Sequence, residues 1–218
     1  MGVVLVTSRS AAEYRAMFSL SPGQSFLDCC AGGASFCAET PNVVAVDPAY
    51  VLGYGELSRL VRTGLIDGDR IIAENVDHFE WSWYGDVDSR AAMRIDAADR
   101  FLADLRTRPS RYIAAALPDL PFADDSFDVA LCSHLLFTWA ERFDENWHRR
   151  ALTELVRVAR AEVRVFPLVL QGTGAPVPFL SRLRSALPPS ELRDVPYRFQ
   201  RGAHQMLVID ARNAPTRC

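Results

Sequence analysis

The sequence predicts one α/β domain over 1–218: a seven-stranded, doubly wound, mostly parallel sheet with a C-terminal antiparallel hairpin and a helical insertion after the second strand. Three observations predict it. Apolar runs of strand length alternate with amphipathic stretches of helical period, as in βα units wound on a parallel sheet. "FLDCCAGGASF" (26–36) passes from a buried strand through a glycine turn into a helix. The tail "YRFQRGAHQMLVID" (197–210) sets two strand-like runs around a tight "RG" turn.

The elements follow in order. "SAAEYRAMFSL" opens with Ser10 and has Glu13 three positions on, a capping box, with Tyr14, Met17 and Phe18 on one face. "SPG" ends that helix. "QSFLDCC" reads as the first strand, a short helix follows from Ala34, and "NVVAVD" is a second strand ending at Asp47 before Pro48. Residues 49–110 exceed the dozen or so that a crossover needs. Leu57, Leu60, Val61 and Leu65 have helical spacing, as do Met93, Ala97, Phe101 and Leu105, and the aromatic stretch "DHFEWSWYGD" lies between. This segment is read as an insertion or lid. Strands resume at "RYIAAAL", "FDVALCS" and "EVRVFPLVL". Between the last two, Trp147, Ala151, Leu152, Leu155 and Val156 make an amphipathic helix, and "PFLSRLRSAL" is a further short one.

Composition narrows the function classes. Hydrophobic residues make up 49% and charged residues 23%, a globular balance. The net charge of −3 comes without a basic stripe, which argues against nucleic acid or an anionic membrane as partner. Five cysteines, Cys29, Cys30, Cys37, Cys132 and Cys218, have no zinc-site spacing and read as free thiols of a reducing compartment; no metal site is expected. "MGVVLVTSRS" lacks the pattern of a signal peptide, and no apolar segment reaches the ~18 residues of a membrane span. The expectation is a cytoplasmic protein, monomer or homodimer.

Ligands of a doubly wound sheet bind at the carboxyl ends of its strands, near the reversal of winding. Gly32 and Gly33 allow close approach of backbone there. The GxGxxG spacing that seats a pyrophosphate is absent, so a cofactor without phosphates fits better, and a nicotinamide dehydrogenase is disfavoured. Asp47 lies 19 positions after Asp28 (47 − 28). Its carboxylate can accept from the two hydroxyls of a ribose, or simply cap the turn before Pro48.

"LDCCAGGASF", "VVAVDP", "LPFADDSFDVALCSHLLF" and "ALTELVRVAR", in that order, resemble the class I S-adenosylmethionine-dependent methyltransferases over roughly residues 24–170, and the terminal hairpin resembles that family's last two strands. The resemblance implies a Rossmann-like methyltransferase fold and S-adenosyl-L-methionine as cofactor. It implies that Asp28 and the backbone of Ala31 and Gly32 hold the methionine part, within a site that also takes in Cys29, Cys30, Gly33, Phe36 and Pro48. Asp47 would take the ribose and Leu117 would lie near the adenine. Ser133 and His134 would face the sulfonium. Three departures stand out. Cys30 and Ala34 replace the outer glycines of the first motif, Ala116 stands where an acid often receives the adenine amine (Asp119 could compensate), and "ARAEVRVF" replaces the usual turn before the fifth strand.

Methyl transfer to a small molecule needs an aligned nucleophile and excluded water, and a base only where a proton must leave. His134 is the candidate base, with Ser133 beside it; a structural His134 bonded to backbone is the competing reading. His148 suits a capping role. Tyr14, Trp81, Trp83, Tyr84, Phe137 and Trp139 are the candidate substrate pocket, since a sulfonium gains about 0.5–2 kcal/mol on an aromatic face. The competing reading makes them core. A small closed site would also suit no substrate beyond the cofactor: cyclisation to azetidine-2-carboxylate and methylthioadenosine, or aminocarboxypropyl transfer. A binding protein without turnover stays a third reading.

Overall fold

The computed structural model describes residues 6–213; Cys218 and the first five residues of the N-terminal stretch lie outside the described residues. α1 (Ala11–Phe18) begins on the capping box. Ser10 Oγ accepts the Glu13 N–H at 3.1 Å, and Glu13 Oε2 accepts the Ser10 N–H at 2.7 Å. It stops at Ser19, whose φ of 50° is left-handed. Then come β1 (Phe26–Cys29), the single-turn α2 (Phe36–Glu39) and β2 (Val43–Val46). The long α3 (Tyr54–Glu74) and α4 (Val87–Thr107) precede β3 (Tyr112–Ile113). After them lie β4 (Phe127–Ser133), α5 (Glu145–Val158), β5 (Ala159–Phe166), α6 (Leu180–Ser185), β6 (Ser190–Asp194) and β7 (Gln205–Asp210).

The sheet order is β3-β2-β1-β4-β5-β7-β6, with β7 antiparallel to both of its neighbours and every other pair parallel. The winding runs outward from β1 and then reverses to β4, so β1 and β4 flank the switch point. Side chains alternate between two cores. Phe26, Val43, Ala45, Val129 and Leu131 face the layer of α1 to α4, while Leu27, Cys29, Val46, Ala130 and Cys132 face the layer of α5 and α6. That alternation follows from the period of two along a strand. The four cysteines in the described residues are free thiols.

Three elements differ from the sequence reading. The terminal hairpin is "SELRD" paired with "QMLVID"; "YRFQ" belongs to the connection between them. Pro196 offers no N–H to a ladder, and Tyr197 and Phe199 turn inward instead. Phe199 stacks on Phe79 at 4.6 Å, and Tyr197 shares a hydrogen bond with Tyr84 at 2.8 Å. Burying each large apolar ring is worth roughly 1.5–3 kcal/mol, more than a short stretch of ladder on an edge. β3 is two residues long, because the chain beyond Ile113 leaves the sheet for a turn closed by Ala116 and Asp119. In the insertion, α4 is itself the crossover onto β3. Its fully buried Phe101 packs against Tyr50 and Tyr112, at 6.0 and 5.4 Å.

Candidate functional site

At the carboxyl ends of β1, β2 and β4 lies a cavity of about 450 Å³. Both tips at the switch point bend there in the same way. Cys29 and Cys132 are register partners, and the residues just beyond β1 and β4, Cys30 and His134, have φ of 63° and 56°. Left-handed backbone at a non-glycine residue is costly, of order 1–3 kcal/mol, and such residues gather at ligand sites. The turn where the sequence shows cysteine for glycine therefore keeps the glycine conformation.

The loop from Ala31 to Ser35 uses its own amides. Ala31 N–H donates to Val46 O at 3.0 Å, Gly33 N–H to Thr7 O at 2.9 Å, Ala34 N–H to Ala31 O at 3.1 Å and Ser35 N–H to Arg9 O at 2.8 Å. Gly32 N–H donates to Asp47 Oδ2 at 3.0 Å, and Gly32 O accepts from Tyr50 at 2.7 Å. Gly32 is required as such: its φ is 57°, and a Cβ there would stand 2.9 Å from Thr7 O. Residues 6–9 thus form a strap bonded across the loop.

Asp47 has two partners, since Oδ1 accepts the Ala49 N–H at 2.9 Å. Burial pushes its carboxyl up, against the pull of the Ala49 and Gly32 amides. Each carboxylate oxygen keeps a second lone pair, and Asp47 lines the cavity with Pro48, Leu117 and Ala116. Asp28 stands behind the loop, fully buried. Oδ1 accepts from Tyr14 at 2.9 Å, while Oδ2 has no partner among the described residues. Burial lifts its carboxyl to about 7; the Tyr14 bond opposes this and the charge of Asp47 adds to it.

At the β4 tip, Ser133 Oγ and His134 Nδ1 are 2.9 Å apart, and His134 N–H donates to Phe166 O at 2.8 Å. The imidazole meets the Phe166 ring edge-on at 5.6 Å. Burial, then the charges of Arg9 and Arg94, holds it well below the usual histidine range, so it is neutral. A neutral imidazole bonded through Nδ1 offers Nε2 to a ligand.

Among the residues singled out from sequence, Cys30, Gly32, Asp47, Pro48, Leu117, Ser133, His134 and Trp139 come together on the cavity wall. Asp28, Cys29, Ala31, Gly33 and Phe36 stand behind it as supports; Phe36 stacks on Tyr14 at 4.8 Å. Phe137 is buried against His148, whose ring bonds Asp144 O and Leu136 O at 2.8 Å each. Trp81, Trp83 and Tyr84 pack on Tyr197 and Phe199 rather than on the cavity, and Trp81 Nε1 donates to Val76 O at 3.0 Å. Aromatic rings there satisfy the inward connection before β7. No cavity-lining residue comes from 49–110 among the described residues. Sequence reasoning missed the strap residues Thr7 and Arg9, and also Phe143, Trp147 and Gln171. Only Arg9 left a signal, a cation next to the helix cap Ser10.

A family model described as a methyltransferase domain matches residues 82–166, a stretch that begins after the glycine loop. An uncharacterised protein of Methanocaldococcus jannaschii is 26% identical over 213 residues, covering 94% of this chain and 95% of that one. Among solved structures, the 1,6-didemethyltoxoflavin-N1-methyltransferase of Burkholderia thailandensis, with bound 1,6-didemethyltoxoflavin and S-adenosylhomocysteine, has a TM-score of 0.49 and 15% identity, over 94% of this chain and 77% of that one. An S-adenosylmethionine-dependent methyltransferase of Aquifex aeolicus has a TM-score of 0.45 and 13% identity, over 92% and 87%.

Proposed function

We propose that the chain, which a methyltransferase-domain model matches over residues 82–166, is a class I S-adenosylmethionine-dependent methyltransferase and transfers the cofactor's methyl group to a small-molecule acceptor held at the tip of β4. The observation that carries this reading is the single wall shared by Gly32, Asp47, Leu117 and His134 at the switch point. The residues fit the cofactor. A volume of about 450 Å³ lies within the ~300–1,000 Å³ of ordinary ligand pockets. The wall offers a carboxylate with spare lone pairs for a ribose and the apolar Pro48 and Leu117 for a base. Among the described residues Arg9 is its one arginine or lysine.

When bound, S-adenosylmethionine supplies an electrophilic methyl on a sulfonium. The chain's own residues bind, orient and exclude water. Asp47 holds the sugar, and the fixed loop sets the floor beneath the amino-acid end. His134 Nε2 faces the acceptor side as a neutral group. It can orient a nucleophile by accepting its proton's hydrogen bond at Nε2, with Nδ1–H donating to the Ser133 hydroxyl oxygen. Trp139, steadied by Arg142 at 4.6 Å from its ring centre, lines the same side and excludes water.

The modest cavity favours one second reading, with no acceptor beyond the cofactor. Incubation of the purified protein with S-adenosylmethionine, with and without a panel of small nucleophiles, separates the two. S-adenosylhomocysteine formed only with an acceptor is the expected result. Methylthioadenosine formed in its absence would replace methyl transfer by cyclisation.

A further inference from the structure

We propose that Arg9 is the anchor for the cofactor's carboxylate, a task the glycine loop cannot perform here. This rests on the cofactor reading above. In a strand–turn–helix loop, free backbone N–H groups are the natural partners of an anion. From Ala31 to Ser35 every one of those groups is spent inside the protein: on Val46, on Asp47, on Ala31, and on Thr7 and Arg9 of the strap. The helix that follows is one turn long and adds no field of its own. The strap that takes two of the amides brings a guanidinium to the same wall. Among the described residues Arg9 is the only arginine or lysine lining the cavity.

Its charge is not used up within the fold. Among the described residues Arg9 has a single side-chain bond, Nη1 to Glu13 Oε1 at 3.5 Å, longer than the 2.7–2.9 Å or so of a strong charge-assisted bond. That oxygen already accepts from Arg94 at 2.8 Å and from Tyr84 at 2.5 Å. Two guanidinium groups therefore share the one Glu13 carboxylate, and Arg94 makes the shorter contact. Arg9 has five N–H donors in a planar fork that matches a carboxylate. Its side chain is 12% exposed, so solvent screens such a pair little. Glu13 keeps its Arg94 partner at 2.8 Å if Arg9 turns toward a ligand.

The test compares S-adenosylhomocysteine with its decarboxylated analogue, which keeps the amine and loses only the carboxylate. Calorimetric titration of the wild-type protein should favour S-adenosylhomocysteine by about 10–100-fold, the range of hydrogen bonds to a charged group. Arg9→Met should bring that ratio close to 1 while leaving the decarboxylated analogue's affinity unchanged, which also reports an intact adenosine site. Arg9→Lys, which keeps the charge and loses the fork, should retain part of the preference and serves if the methionine variant fails to fold. A full preference persisting in either variant, or no preference in the wild type, overturns the proposal while the cofactor reading stands. A wild-type protein that binds neither compound overturns both.

Discussion

Asp28 and Asp47 have the same side chain and opposite circumstances. Asp47 accepts two amides, whereas Asp28 has one partner and an orphaned oxygen. A carboxyl raised from 3.8 to about 7 on folding binds more protons in the native state between those values. Its contribution to stability is therefore complete below the lower value and is lost as pH rises through about 7. Asp28→Asn, which keeps the acceptor for Tyr14, should remove that loss. The stability difference between variant and wild type, measured by urea unfolding, should grow in the variant's favour by a few kcal/mol from pH 4.5 to pH 8. A constant difference would mean that Asp28 is ionised throughout. His134 carries the opposite sign. Its proton affinity is depressed, so the folded ring should stay neutral where a free histidine titrates, and its NMR signal should hold still from pH 8 to pH 6. Asp47→Ala should weaken S-adenosylhomocysteine binding by about 1.5–3 kcal/mol through the lost sugar bonds. Unchanged affinity would remove Asp47 from the site.

Between elements, the buried Glu13 is the joint that ties α1 to the insertion. Burial pushes its carboxyl up, but Arg94, Arg9 and the Tyr84 and Ser10 bonds outweigh that and hold it below the ordinary range. Arg94 reaches it from α4, Tyr84 from the aromatic stretch and Tyr197 from the connection before β7. Removing one member of a buried pair costs about 3–5 kcal/mol, because the other charge is stranded. Glu13→Ala should lose that much, as a lower urea midpoint, and Arg94→Met about as much; the double variant should lose much less than the sum. Additivity would show that the two are not coupled. The capping box was legible because Ser10 and Glu13 are three positions apart. The joint was not, because its partners lie 71, 81 and 184 positions from Glu13 (94 − 13 = 81 for Arg94).

At the scale of the whole molecule, a ligand in the cavity at the carboxyl ends of β1, β2 and β4 should couple its binding to global stability. S-adenosylhomocysteine at 100 times its dissociation constant should add about 2.7 kcal/mol, which for a domain of this size raises the melting temperature by roughly 5–10 °C. A nicotinamide dinucleotide should not, since among the described residues the loop amides that would cradle a pyrophosphate are bonded within the protein. Among the described residues no helix is long and apolar enough to cross a membrane.

The sequence by itself determined the sheet and its double winding, because period-two and period-3.6 patterns are local properties. Strand β3 and the hairpin slipped from their predicted places because long-range burial of Tyr197 and Phe199 and an early turn outweighed local propensity. Only the tertiary structure decided that the aromatics of 81–84 belong to a joint rather than a pocket, and that the loop's amides are already bonded. Those are contacts across the fold, where a side chain or an amide goes to its nearest adequate partner whatever its distance along the chain.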